Sequence, residues 1–393
     1  MTELPASADA VIIGAGIMGC SIAYHLAERG MTDVVVLEKD YIGRGSTADA
    51  AGGIRLQFST RANIELMQIS IDYWENFEER FGQFINFRQQ GYLFLLTSED
   101  NVAEFQTNLE LQQSMGVPAR WVTPDDIAEL NPAVNLDGSR STGSGQILGG
   151  TICPRDGWAD TSTSTMGFAQ AARRLGVKII EETPVTGIVV QDGKIAGVDA
   201  GGSHIAAPQV ICAAGPYTGL VGEMAGVELP VAPVRRMSWV TGPFEEIPPS
   251  APFTIEFERS LYFHPESGGF LFGMSDPDEP PSWNKSVDQS WLVTTVDALA
   301  ELAPAFANAT VRNGWAGLYE VTPDHNPLVG AVEEVEGLSV AAGFSGHGFM
   351  QGPAIGLLMT ELLVDGEFRT VDLSDFRPAR FIEGELRREH NVI

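Results

Sequence analysis

"ADAVIIGAGIMGCSIAYHLAERGMTDVVVLEKD", residues 8 to 40, decides how the chain begins to fold. It opens as a short apolar strand, a glycine turn follows, helical spacing runs from about Met18 to Arg29, and a second apolar strand covers Val34 to Leu37. This is a complete βαβ unit in about 30 residues, the building block of a parallel sheet. Gly14, Gly16 and Gly19 fit G-x-G-x-x-G where the strand becomes the helix. That pattern makes a tight turn, lets the backbone approach a pyrophosphate, and aims the first helical amides at an anion. Glu38 ends the next strand about 20 residues on, where a carboxylate accepts from ribose hydroxyls and repels a 2'-phosphate. The expected ligand is a dinucleotide, FAD or NAD in preference to NADP. Ile17, Met18 and Lys39 flank these positions and join them as candidate cofactor contacts.

The rest of the composition suits a soluble globular protein. The chain has 393 residues, 44% of them hydrophobic and 19% charged, enough for a large core in two domains or one intricate α/β body. The first residues, "MTELPASADA", lack the positive start and apolar run of a signal peptide, and no apolar stretch reaches the roughly 18 residues of a spanning helix. Cys20, Cys153 and Cys212 are the only cysteines, in no metal-ligand spacing, so neither a disulfide framework nor a metal site is expected. A cytoplasmic protein follows as the default, with attachment to the inner face of a membrane left open. The formal charge of −28 repels nucleic acid and anionic lipid, and a small anionic substrate would need a local cation.

Further along, residues 61 to 80 read as a helix, "INFRQQGYLFLLTSED" as a strand, and "NVAEFQTNLELQQSMG" as a helix ending at Gly116. "WVTPDDIAELNPAV" is a short helix with a Thr or Asp N-cap, stopped by Pro132. Turns at 192–193 ("DG") and 201–202 ("GG") mark a hairpin before the buried strand "QVICAAG". Between about 226 and 314 the chain is Pro-rich and aromatic, with strand-like pieces such as "RRMSWVTG" and "LYFHPESGGFLFG", and suggests an inserted antiparallel layer. The end returns to a strand, "GLSVAAGF", a glycine turn, and a helix beginning around Pro353. The expected architecture is α/β, with a discontinuous Rossmann-like nucleotide domain (1–83, 147–225 and 315–393) and a mostly antiparallel substrate domain (84–146 and 226–314).

Two glycine-rich segments lie outside the first turn. "GRGSTADAAGGIRLQF" (43–58) is built of small residues with two hydroxyls, Ser46 and Thr47. It lets the backbone pass close to a flat ring and adds donors for a second phosphate; a plain flexible loop reads similarly. Arg44, Gly45, Ala51, Gly52, Gly53 and Ile54 are its other candidate contacts. "GFSGHGFMQGP" (343–353) offers Gly343, Gly346, His347, Gly348, Phe349, Met350 and Gln351.

"GAGIMGCSIAYHLAERG", "VVLEKD", "GSTADAAGGIRLQF", "VICAAGPY", "YEVTPDHNPLVG" and "GFSGHGFMQGPAIG" occur in that order. Together they resemble the D-amino-acid oxidase superfamily of FAD-dependent oxidoreductases, nearest the branch of sarcosine oxidase, glycine oxidase and proline dehydrogenase. The resemblance covers nearly the whole chain. It implies FAD, a Rossmann-like domain assembled from separate segments, and an antiparallel roof over the flavin. By position it implies that Glu38 holds the adenosine ribose, Ser46 and Thr47 the pyrophosphate, and Val185 the adenine region. Ala213, Ala214 and Gly215 would pass along the flavin side, and the loop 343–352 would face the pyrimidine edge of the ring. A helix N-terminus there suits the negative charge that collects on a reduced flavin.

A substrate carboxylate in a buried site needs a cation, preferably a guanidinium. Arg55 matches the substrate-binding arginine of the sarcosine oxidase branch, and a structural ion pair is its other reading. His264 and Tyr262 fall on the strand above the flavin, as amine-positioning groups or as core. Tyr319 and His325 lie toward the substrate side, His325 also readable as a hydrogen-bonded turn histidine. Gly317 replaces the cysteine that bonds FAD in monomeric sarcosine oxidases, so noncovalent FAD is expected, and Arg155–Asp156 replaces the pair that carries FMN in the heterotetrameric ones. Lysines of the branch would fall near Leu271 and on Met350, and neither is present. The resemblance implies hydride transfer from an amine or amino acid of the sarcosine or proline class to flavin N5, giving an imine that hydrolyses. Oxygen, a quinone or a carrier protein would accept the electrons, and assembly as a homo- or hetero-oligomer is left open. The alternative is a flavin-binding electron-transfer or assembly subunit that needs a partner chain; an RNA-modifying relative is disfavoured by the charge.

Overall fold

The computed structural model describes residues 4–136 and 145–392. A six-stranded sheet holds the first βαβ unit. Its central strand, Ala10–Ile13, pairs in parallel with Val34–Leu37 on one side and with Gln209–Cys212 on the other. Lys178–Ile180 extends it at one edge, and Leu338–Ala342 followed by the antiparallel Leu328–Ala331 at the other. All four residues of Ala10–Ile13 and of Val34–Leu37 are buried, as strands covered on both faces must be. The helices Ile17–Glu28, Thr161–Arg174, Arg61–Glu75 and Gly348–Asp365 cover one face; a three-stranded meander (Val185–Gln191, Lys194–Ala200, Ser203–Ala206) joins the core of the other.

The second sheet has eight strands in the order 311–321, 232–241, 269–274, 261–266, 253–256, 92–96, 149–153, 120–122. Its pairings are antiparallel except that Phe253–Glu256 runs parallel to Tyr92–Leu96. The two long strands Ala232–Thr241 and Val311–Val321 form its edge beside the first sheet's cofactor turn, and Gln289–Leu302 packs behind it. The fold is therefore mixed α/β, with an antiparallel layer beside a largely parallel sheet. Among the described residues no helix is long and apolar enough to cross a membrane.

Local readings translate closely into elements. The helix after the first turn spans Ile17–Glu28, and the one expected over 61–80 is two, Arg61–Glu75 and Phe77–Phe81. Thr123 caps Pro124–Leu130 reciprocally with Asp126 in a capping box. One expectation fails. The last long helix begins at Gly348, with Pro353 inside it. The proline removes one intrahelical donor and crowds the preceding turn, yet Ser70 Oγ accepts from Ala354 N (3.2 Å) and Trp74 Nε1 donates to Met350 O (2.9 Å). The helix Arg61–Glu75 thus supplies partners on both sides of the irregularity.

Candidate active site

The first turn packs as tightly as backbone allows. Gly14 has φ +105°, and a Cβ there would lie 2.4 Å from the carbonyl oxygen of Ala213 on the neighbouring strand's loop. A Cβ on Gly19 would lie 1.9 Å from the Gly14 oxygen, which ties the helix start to the turn. Gly16 is the N-cap with no side-chain cap, and the first helical turn carries no acid. Ile17 N donates to Thr47 Oγ1 (3.2 Å), while the other early amides lack intrahelical acceptors. Ile17–Glu28 and Gly348–Asp365, whose first residues line one cavity, have no side-chain caps, and nor does Arg61–Glu75; Glu99–Ser114, Thr161–Arg174 and Gln289–Leu302 do.

That cavity, of about 490 Å³, starts at the turn and runs between the two sheets. It is lined by Gly14, Gly16, Ile17 and Met18, by Glu38 and Lys39, and by Arg44 to Thr47. Val185, Ala213 to Gly215, Tyr319, Gly346, Gly348 and Phe349 also line it. Glu38 accepts from Ala15 N (2.8 Å) and Asp40 N (2.9 Å), and each carboxylate oxygen can take a further donor. An uncapped helix start, a turn with no room for a Cβ at Gly14 or Gly19, and a carboxylate at the end of the second strand fit a dinucleotide's pyrophosphate and ribose.

Other expected contacts lie elsewhere. Gly19 is inside the turn, and Gly52 and Gly53 are required by their neighbours: a Cβ would meet the Ala159 oxygen at 2.2 Å and Tyr92 Oη at 2.4 Å respectively. Ala51 packs against the Tyr92 and Trp158 cluster, and Ile54 is fully buried. In the second glycine loop, Gly343 and Gly346 make room for Thr322 and Tyr319. Met350 is buried in the main core, its carbonyl held by Trp74, and Gln351 donates to Asn63 (2.9 Å). A Cβ on Gly317 would stand 2.6 Å from Asp49 Cβ, so this position has no space for a side chain.

Arg55 is buried, and its donors are committed to the carbonyls of Gln57 and Asn391 and to His347 Nε2 (3.1 Å), with its guanidinium 4.0 Å over the Phe58 ring. Three of its N–H groups are thus bonded within the protein. His347, accepting from Arg55, must be neutral on that nitrogen; burial first, then the Arg55 charge, holds its pKa well below the usual value. His264 lies between Trp158 and Phe253 (centroids 4.8 and 4.6 Å), and burial lowers its pKa to about 4. Tyr262 bonds Ser238 Oγ (2.8 Å), and burial raises its phenol pKa and that of Tyr319. His325 sits at φ +61° in the turn after Thr322–Asp324 and is likewise kept neutral, mainly by burial.

Sequence reasoning missed Tyr217, Lys285, Asp49 and Glu320, which also line the cavity. Tyr217 stacks on Trp283 (4.6 Å) under the Lys39 ammonium, and Lys285 pairs with Asp49 (2.6 Å). Tyr217 follows the "AAGP" turn and could have been included with it; the loop carrying Lys285 has no comparable signature. Glu320 accepts from Gly343 N (3.0 Å) beside the start of the last helix, and burial, outweighing the amides of Gly343 and Phe344, raises its pKa to about 7. A carboxyl with a raised folded pKa contributes stability below its unfolded pKa and loses it as pH climbs through about 7. Glu320→Gln is therefore expected to flatten the decline in stability of the cofactor-free protein between pH 5 and 8, by on the order of 1–2 kcal/mol after solvent access is discounted. Thermal midpoints of the two proteins across that range check it; parallel curves would show that Glu320 titrates normally.

Residues 9–362 match the model of the family described as FAD dependent oxidoreductase (DAO). The chain is 32% identical to "FAD-dependent oxidoreductase domain-containing protein 1" of Xenopus laevis, over 99% of this chain and 85% of that one. It is also 32% identical to mitochondrial dimethylglycine dehydrogenase of Rattus norvegicus, over 95% of this chain but only 45% of that protein. Among solved structures, L-proline dehydrogenase from P. horikoshii superposes with a TM-score of 0.91 at 34% identity, covering 98% of this chain and 100% of that one. With the cradle, the carboxylate and the two open helix starts in place, the chain belongs to the FAD-dependent oxidoreductase family, and FAD is its cofactor.

Proposed function

We propose that this enzyme oxidises the C–N bond of a small secondary or N-methyl amino acid, with FAD held noncovalently in the cavity described above. What supports the reading most is the end-to-end similarity to a structure titled L-proline dehydrogenase, together with relatives named dimethylglycine and sarcosine dehydrogenase. On this reading residues 84–146 and 226–314 hold the substrate, and 1–83, 147–225 and 315–393 hold FAD. Glu38 takes the ribose, the first turn with Ser46 and Thr47 the pyrophosphate, and Val185 the adenine side. Bound FAD supplies the acceptor for a hydride from the carbon next to nitrogen. The protein orients that carbon and keeps the site dry. Tyr262 and Tyr319 remain protonated and His264 neutral at pH 7, so these three offer hydrogen-bond donors and no strong base. An amine that arrives unprotonated needs none, and the imine it yields is hydrolysed by water.

Anaerobic titration tests this. Sarcosine, dimethylglycine or L-proline should bleach the flavin absorbance, with glycine and D-amino acids slower. A flavoprotein that no amine reduces would favour an electron-transfer or assembly subunit with a partner chain. The rate of reoxidation by air against that by a quinone then identifies the acceptor.

A further inference from the structure

The edge of the eight-stranded sheet carries an arginine that the sequence did not single out. Antiparallel partners directly opposite one another point to the same face. Arg236 is opposite Gly317, Ser238 opposite Trp315, and Val234 opposite Tyr319. This face is turned to the cofactor side: Trp315 Nε1 donates to Asp49 O (2.9 Å), Gly317 packs on Asp49, and Tyr319 lines the cavity. The alternate residues Met237 and Trp239 go into the core behind the sheet. The Arg236 guanidinium stands 5.4 Å over the Tyr319 ring, and its charge bears on Tyr262 and His325 as well.

Arg236 is half-buried with no acid beside it. Nη1 donates to the Arg235 carbonyl (3.0 Å), the buried Nε has no partner, and among the described residues no carboxylate comes within ion-pair distance. Its neighbour Arg235 is paired with Glu279 (2.7 Å), and the buried Arg380 and Arg259 also have acid partners. In a chain with 52 acids and 24 bases, a half-buried guanidinium on the cofactor-side face, left without an acid partner, is a site for an anion from outside. Arg55 spends three of its N–H donors inside the protein, on the Gln57 and Asn391 carbonyls and on His347.

We propose that Arg236 is the residue that binds the substrate carboxylate, with the Tyr319 and Tyr262 hydroxyls beside it; this rests on the amino-acid reading given above. The probe is pyrrole-2-carboxylate, a planar acid that cannot be oxidised at the ring carbon, titrated into the FAD-loaded protein by its effect on the flavin spectrum, with pyrrole as the acid-free control. Arg236→Met should weaken pyrrole-2-carboxylate about 100-fold and Arg236→Lys about 10-fold, with pyrrole binding and FAD content unchanged. With a reducing substrate the loss should fall mainly on KM. Unchanged affinity in FAD-loaded Arg236→Met overturns the assignment and leaves the amino-acid reading intact. Loss of FAD from Arg236→Met and Arg236→Gln alike would make Arg236 a cofactor ligand and overturn it as well. A wild-type protein that binds neither pyrrole-2-carboxylate nor any reducing amino acid overturns both.

Discussion

Gly19→Ala is expected to yield protein with little or no FAD. The new methyl would lie 1.9 Å from the Gly14 oxygen and 3.3 Å from Ile12 Cγ2. A backbone oxygen cannot rotate away as a side chain can, so the cost exceeds the ~1–3 kcal/mol of ordinary overpacking. Relief requires the helix Ile17–Glu28 to shift off the turn, and its first amides move with it. The ratio of flavin to protein absorbance in purified material should fall at least ~10-fold if the lost stabilisation exceeds about 1.4 kcal/mol. Gly242→Ala, where the nearest atom is 3.9 Å away, should keep its FAD and serves as the control. A yellow Gly19→Ala protein would mean that the turn tolerates more play than its geometry indicates.

Arg380→Met should cause the largest loss of stability among single charge removals. Arg380 and Asp324 are 0% and 2% exposed and pair through two bonds, Nε to Oδ2 (2.9 Å) and Nη2 to Oδ1 (3.0 Å). Arg380 also donates to the carbonyls of Phe376 and Asn326. Removing the guanidinium strands a buried carboxylate, at about 3–5 kcal/mol. The turn from Thr322 to Asn326 would loosen, because Asp324 also accepts from Asn326 N. Arg377→Met, whose partners Glu383 and Glu385 are exposed, should cost under about 1 kcal/mol. Thermal unfolding of both, and of the double variant Asp324→Asn with Arg380→Met, checks the cause: recovery in the double variant identifies the orphaned charge, and its absence points to lost packing.

The first βαβ unit was legible because its requirements are local. Gly14 and Gly19 are each needed by a backbone atom within a few residues or on the adjacent strand's loop, and such needs leave a residue-type signature. The capping box at Thr123 and the hairpin turns at 192–193 and 201–202 are equally short-range. The start of the last helix was not legible, since a proline at 353 reads as a helix start unless Trp74 and Ser70, nearly 280 residues away in sequence, are known to satisfy its neighbours. Arg55 shows the same limit: residue type and place in the chain could not give its partners Asn391 and His347, the first of them more than 330 residues away. Arg236 escaped because which way it points depends on register with Val311–Val321. Long-range pairing decides which charges are spent within the protein and which are left for a ligand.

The order of strands in the first sheet also constrains how the enzyme is made. Ala10–Ile13 gains Val34–Leu37 early, but its other neighbour begins at Gln209, and the next strand out begins at Leu338. At about 5–20 residues per second the ribosome takes on the order of 10–35 s to cover that first gap. Throughout it the nascent unit exposes an apolar, unpaired strand edge. Gly346, Gly348 and Phe349 line the cavity, so its wall is complete only once that segment has been made. Every molecule therefore passes through a flavin-free interval, during which a net charge of −28 keeps neighbouring chains apart.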